Sequence, residues 1–152
     1  MFDLIPFEGI ISSSATMREK IMQFEEALMQ LPGASQFTHE SFPVTHSFAD
    51  GLYIRELFIP KGGCLTGRIH RHSHLSFLMQ GDITIISEEG THRLKAPHMV
   101  IAPAGTKRIG FAHEDTRWVT VHATKETNIE QIEAFLAVAS YDQFEKEQAC
   151  LS

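Results

Sequence analysis

Between Met17 and Leu31 the apolar residues Met17, Ile21, Phe24, Leu28 and Leu31 recur at steps of three and four. That spacing marks one face of an amphipathic helix. Ser13 or Ser14 can cap its start and Pro32-Gly33 ends it, which predicts a helical segment over about residues 13–31. The stripe reads as packing against the body of the protein.

Further on, the pattern changes to short β-rich runs separated by turn residues. Leu52 to Ile59 ends at Pro60-Lys61-Gly62-Gly63, and Leu65 to Gln80 has strand-like composition throughout, closed by Gly81-Asp82. Ile83 to Ser87, Thr91 to Lys95, His98 to Ala102, Lys107 to Ala112 and Arg117 to Ala123 follow, each bounded by Gly, Pro or acidic turns. Short strands at this spacing predict a sandwich or barrel of the jelly-roll type, over about residues 42–124. Helical spacing then returns. Thr127 with Glu130 reads as a capping box, and Ile129, Ile132, Phe135, Leu136 and Ala139 form an apolar face. Ser140 with Gln143 starts a short second helix through Phe144, so that helices occupy about residues 127–146. No repeat or linker interrupts this order, and the expectation is an all-β single domain with helical ends.

Composition narrows the function. A chain of 152 residues, 43% hydrophobic and 21% charged, is a globular mixture of one-domain size. A net charge of −6 disfavours duplex DNA or an anionic membrane as the main partner. Cys64 and Cys150 are too few for a disulfide framework and read as reduced thiols. Met1-Phe2-Asp3-Leu4 lacks the basic start of a signal peptide, and no apolar run reaches membrane-spanning length, so the expected location is the cytoplasm.

Histidine stands out, with nine in the chain. The run Arg68-Ile69-His70-Arg71-His72-Ser73-His74, if a continuous strand, puts Arg68, His70, His72 and His74 on one face, in steps of about 7 Å. Neighbouring imidazoles at that spacing can share a metal, but all three at once require the strand to bend. Two of them plus a ligand from elsewhere is the easier geometry, and His113 and His122 are the candidates. His122 shares a strand face with Trp118 and Thr120, while His113 sits in a turn beside Glu114 and Asp115. Imidazole suits several first-row divalent metals, here Fe, Mn, Ni or Zn. His39, His46, His92 and His98 read as ordinary surface or core residues.

The stretch from Gly67 to Ala112 resembles the two motifs of the cupin superfamily, Gly-x5-His-x-His-x3,4-Glu-x6-Gly and Gly-x5-Pro-x-Gly-x2-His-x3-Asn. Gly81 matches the closing glycine of the first motif and Pro103-Ala104-Gly105 the Pro-x-Gly of the second. In that register Arg68 and His70 stand at the histidine pair, His74 at the glutamate, and Arg108 at the third histidine. Pro97 stands at the opening glycine of the second motif and Ala112 at its asparagine. A register shifted by two makes His70 and His72 the pair and leaves Ser76 at the glutamate position. The resemblance implies a cupin-type jelly-roll barrel, a ligand pocket at these positions and a homodimer. The departures from the usual ligand set turn two metal positions into arginines, and Arg68 with Arg108 suits a carboxylate or phosphate.

The runs Phe48-Ala49-Asp50-Gly51-Leu52-Tyr53, Gly67 to Leu75, Gly105-Thr106-Lys107-Arg108 and His113-Glu114-Asp115-Thr116 also look like a cupin-like family of tailed bacteriophages and prophages. That likeness implies a small accessory protein of the bacterial host cytoplasm and supplies no reaction. P-loop, dinucleotide-binding, Gly-x-Ser-x-Gly and His-Glu-x-x-His patterns are missing. Two readings stand. In one, His70 and His74 with His72 or His122 hold a divalent metal beside a small-molecule ligand. In the other, a metal-free pocket with Arg68, Arg108, His113 and Trp118 captures a small anion, for example a nucleotide-like host defence signal.

Overall fold

The structure is a computed structural model, and it describes residues 15–31 and 42–152. Helix α1 spans Met17–Met29. Its cap is Thr16, whose side chain accepts from the Glu19 amide while the Glu19 carboxylate accepts from the Thr16 amide. The expected caps Ser13 and Ser14, the stop at Pro32-Gly33 and His39 lie outside the described residues. Ile21, Phe24 and Leu28 are buried against Cys64, Ile86 and Ile109, each such burial contributing about 1.5–3 kcal/mol. Leu31, expected on the same stripe, follows the helix and is exposed.

The strands are β1 Val44–Ala49, β2 Leu52–Ile59, β3 Cys64–Thr66, β4 Ile69–His70, β5 His74–Gln80 and β6 Asp82–Ser87. They continue with β7 Gly90–Lys95, β8 His98–Ala102, β9 Ile109–Ala112 and β10 Thr116–Ala123. Then come α2 Ile129–Leu136, β11 Ala137–Val138 and α3 Tyr141–Leu151. A five-stranded sheet runs β1-β2-β10-β5-β8 and a four-stranded sheet β3-β9-β6-β7, all pairs antiparallel. A core cluster of Leu57, Leu78 and Trp118 from the first sheet with Leu65, Ile83 and Ile85 from the second joins the two inward faces. Helix α1 covers the other side of the four-stranded sheet, tied there by Lys107, which pairs with Glu25 at 2.5 Å and donates to the Gly67 carbonyl at 2.7 Å.

Three sequence expectations are corrected. The stretch from Leu65 to Gln80 is three strands, because the chain turns after Thr66 and again at Arg71–Ser73. Helix α2 is capped by Asn128, whose side chain accepts from the Gln131 amide, and not by Thr127. Glu126 instead accepts from the Thr127 and Asn128 amides, which orients the entry to the helix. Helix α3 starts at the expected Ser140 cap but continues to Leu151. Gly81 closes the β5–β6 turn for a steric reason. Its φ is +103°, and a Cβ there would lie 2.6 Å from the Asp115 carbonyl.

Candidate metal and ligand site

The first sheet's pairing lays its inward side chains in rows. Tyr53 of β2 faces His122 of β10; two residues on, Arg55, Thr120 and Ser76 form one row; then Leu57, Trp118 and Leu78 form the next. Successive rows are about 7 Å apart by the strand rise. His74 starts β5 two residues before Ser76, and so falls in the row of His122. His70 arrives from the other direction. It ends β4, which pairs with β11 through His70 and Ala137, and its carbonyl accepts from the Gly105 amide at 2.7 Å.

The result is a cluster of His70, His74 and His122, whose ligand nitrogens all lie within 4.8 Å of one another. Ring centroids are 4.3 Å apart for His70 and His74, 4.7 Å for His74 and His122, and 5.8 Å for His70 and His122. The His74 Nδ1 approaches the His72 carbonyl at 3.4 Å, a group that can only accept, so this contact puts the proton on Nδ1. The His74 Nε2 is buried and has no hydrogen-bond partner among the described residues. The His122 Nε2 meets the Thr120 hydroxyl at 3.1 Å.

Burial, then the charges of His74 and His122, push His70 down to about 3. Burial, then His74 and Arg55, push His122 down to about 4. His74 is lowered by burial and by Arg108, against the opposing contact with the His72 backbone. All three imidazoles are therefore neutral near pH 7, the form that binds metals.

The cluster lies in a cavity of about 130 Å³ walled by Leu57, Ile59, Leu65, Ile83, Ile85 and Trp118. Arg55, Arg68 and Arg108 also line it, with Glu133 of α2 the one carboxylate among the described lining residues. Arg108 crosses to the first sheet, donating to the buried Ser76 hydroxyl at 3.3 Å and lying over the Trp118 ring at 5.6 Å. Arg68 stands 3.9 Å from Glu133.

The placements sort the sequence candidates. His70, His74, His122, Arg68, Arg108 and Trp118 share one cavity. His72 does not join them. It is exposed on the Arg71–Ser73 turn, its ring 4.9 Å from Phe135, because the bend that brings His70 to His74 carries it outward. His113 also lies away from the cavity lining, with its Nε2 2.6 Å from the Thr84 hydroxyl and its ring against Phe111. Of the two motif registers, the one with Arg68, His70, His74 and Arg108 has all four positions lining the cavity. Arg55 was not singled out from the sequence. It is a charge within the inward alternation Tyr53, Arg55, Leu57, Ile59, and that break in an apolar face was the available clue.

No protein-family model matches the sequence, and no curated protein matches it. Among solved structures, ectoine synthase from P. lautus is similar at 18% identity and a TM-score of 0.50, covering 64% of this chain and 78% of that one. A cupin 2 conserved barrel domain protein from Salinispora arenicola is 13% identical at a TM-score of 0.47, over 62% of this chain and 82% of that one. A cupin domain from Bordetella pertussis is 18% identical at 0.45, over 55% and 93%. The antiparallel sheets with flanking helices make an all-β jelly-roll architecture, the fold shared with the ectoine synthase structure. Among the described residues, no helix is long and apolar enough to cross a membrane.

Proposed function

We propose that this is a metal-dependent cupin-fold protein in which His70, His74 and His122 hold one divalent ion, Fe, Mn, Ni or Zn, beside a small-molecule ligand. The observation that carries this reading is the closeness of three ligand nitrogens, together with a buried His74 Nε2 that has no hydrogen-bond partner among the described residues. An unsatisfied buried nitrogen costs about 1–3 kcal/mol, a cost that a bound metal removes. The donor set fits: three neutral imidazoles suit each of these metals, and three protein ligands is the count common in catalytic zinc sites. When bound, such an ion supplies Lewis acidity towards an oxygen of the ligand. The chain's own residues do the rest. The His72 carbonyl and the Thr120 hydroxyl set the orientation of the His74 and His122 rings. Apolar walls stand around the cluster, and Leu136 and Glu133 from α2 border the cavity.

Titration of metal-free protein with Co²⁺, followed by its visible absorption, tests the reading. One equivalent is expected to bind, and His74→Ala is expected to abolish the bands. Binding unaffected by that substitution contradicts it.

The arginines favour a second reading, in which the cavity captures a small anion without a metal. Arg108 is the observation behind it, a half-buried cation with a hydroxyl and an aromatic ring as its contacts. On the resemblance to bacteriophage and prophage proteins, the ligand in either reading belongs to the bacterial cytoplasm.

A further inference from the structure

Arg108 presents an imbalance that the metal reading leaves unused. A guanidinium carries five N–H donors and stays charged in proteins. Among the described residues, the Arg108 guanidinium makes one hydrogen bond, to Ser76 Oγ, and no ion pair. Burying a charge is expensive unless it is paired. The Arg55 side chain, in the same inward row as Ser76 and Thr120, makes neither a hydrogen bond nor an ion pair among the described residues. Arg55 and Arg108 thus bring positive charge to the cavity, with no ion pair to either among the described residues, in a protein whose net charge is −6. Such a pocket concentrates anions from solution.

We propose that the cavity takes a small carboxylate with an apolar body, its carboxylate held by Arg108 one strand repeat from the histidine row. This deepens the functional reading above and rests on its cavity, not on its metal. The row of Ser76, Thr120 and Arg55 lies two residues from that of His74 and His122, about 7 Å by the strand rise. A ligand anchored on Arg108 therefore extends towards the imidazoles along walls of Leu, Ile and Trp side chains. Those walls favour a carbon skeleton over a bare inorganic anion. Size narrows the class. At about 10–15 Å³ of such space per water-sized group, the ~130 Å³ cavity holds roughly ten non-hydrogen atoms. A nucleotide, with base, sugar and phosphate, is larger than this space.

The test uses hexanoate and benzoate as probes, with 1-hexanol, hexylamine and inorganic phosphate as controls. Calorimetry and thermal shift are run on metal-free full-length protein, and metal content is measured on the same samples. Hexanoate or benzoate is expected to bind and raise the melting temperature, while the alcohol, the amine and phosphate bind at least tenfold more weakly. Arg108→Met is expected to weaken carboxylate binding at least tenfold, and Ser76→Ala, which removes the hydroxyl that positions Arg108, by a smaller factor. Near-ultraviolet circular dichroism confirms that each variant is folded; should Arg108→Met fail to fold, Arg108→Lys takes its place. Co²⁺ titration of the same protein separates the two readings: carboxylate binding by protein that takes up no Co²⁺ keeps this proposal and contradicts the metal, and Co²⁺ uptake without carboxylate binding does the reverse. Absence of binding by both carboxylates, equal binding of hexanol, equal binding of phosphate, or unchanged affinity in the folded Arg108 variant would overturn the proposal.

Discussion

The His70 and His74 rings lie 4.3 Å apart between centroids, tilted by 40°, because the chain between them bends at Arg71–Ser73. An uninterrupted strand would hold residues four apart about 13 Å from one another. The turn therefore makes the cluster. It is fastened from both sides, by the Gly105 amide donating to the His70 carbonyl and the Arg71 amide donating to the Leu136 carbonyl.

Arg71 strengthens that fastening with its side chain. Nη1 donates to the carbonyls of Ala134 at 3.2 Å and Phe135 at 2.6 Å, the last turn of α2, and Nε donates to Glu147 of α3 at 2.9 Å. A cation on helix C-terminal carbonyls is favourable. Arg71→Ala is expected to cost about 1–3 kcal/mol and to speed amide exchange across α2 and β11. Exchange there no faster than in the unaltered protein contradicts this role.

Gly105 supports His70 from beneath. Its φ is +84°, and an added Cβ would lie 2.6 Å from the Phe144 ring. Phe144 is buried with Ile69 and Val138, so displacing it disturbs the strand that carries His70. Gly105→Ala is expected to cost about 1–3 kcal/mol through strain and overpacking and to weaken metal affinity. Denaturant unfolding and metal titration measure the two effects; a variant of unchanged stability contradicts the account.

Acid should destabilise the metal-free protein in a definite window. Folding lowers His70 to about 3 and His122 to about 4 from an ordinary 6.5, through burial first. His74 and His113 shift in the same direction, also through burial first. Between the folded and unfolded values the unfolded chain binds more protons, so stability rises with pH there. It is complete above about 6.5 and is lost as pH falls through 5 towards 4. Melting temperatures measured from pH 7 to pH 5 should fall steadily. A flat profile over that range is the contrary result.

Much of this was legible because each feature follows a local rule. Apolar spacing located α1, and the runs between turn residues located most strands and the jelly-roll class. The Ser140 cap was visible, and the Pro103-Ala104-Gly105 turn marked the approach to Arg108. The bend at Arg71–Ser73 was not visible, because Arg, His and Ser suit a strand as well as a turn. What decides there is the pairing of β4 with β11, a segment whose sequence position lies over sixty residues away. His122 could be suspected from its strand face, but its meeting with His74 depends on the β5–β10 register. Arg55 was hidden for a similar reason: a charged residue on a strand looks exposed until the partner strands show which face is inside.

Elemental analysis of protein purified without a histidine tag, before and after reconstitution, tests the central claim most directly. The account predicts about one Fe, Mn, Ni or Zn per chain, lost on replacing His70, His74 or His122 with Ala and retained on replacing His72 or His113. Protein that stays metal-free after attempted reconstitution, or whose metal depends on His72 and not on His122, would contradict it.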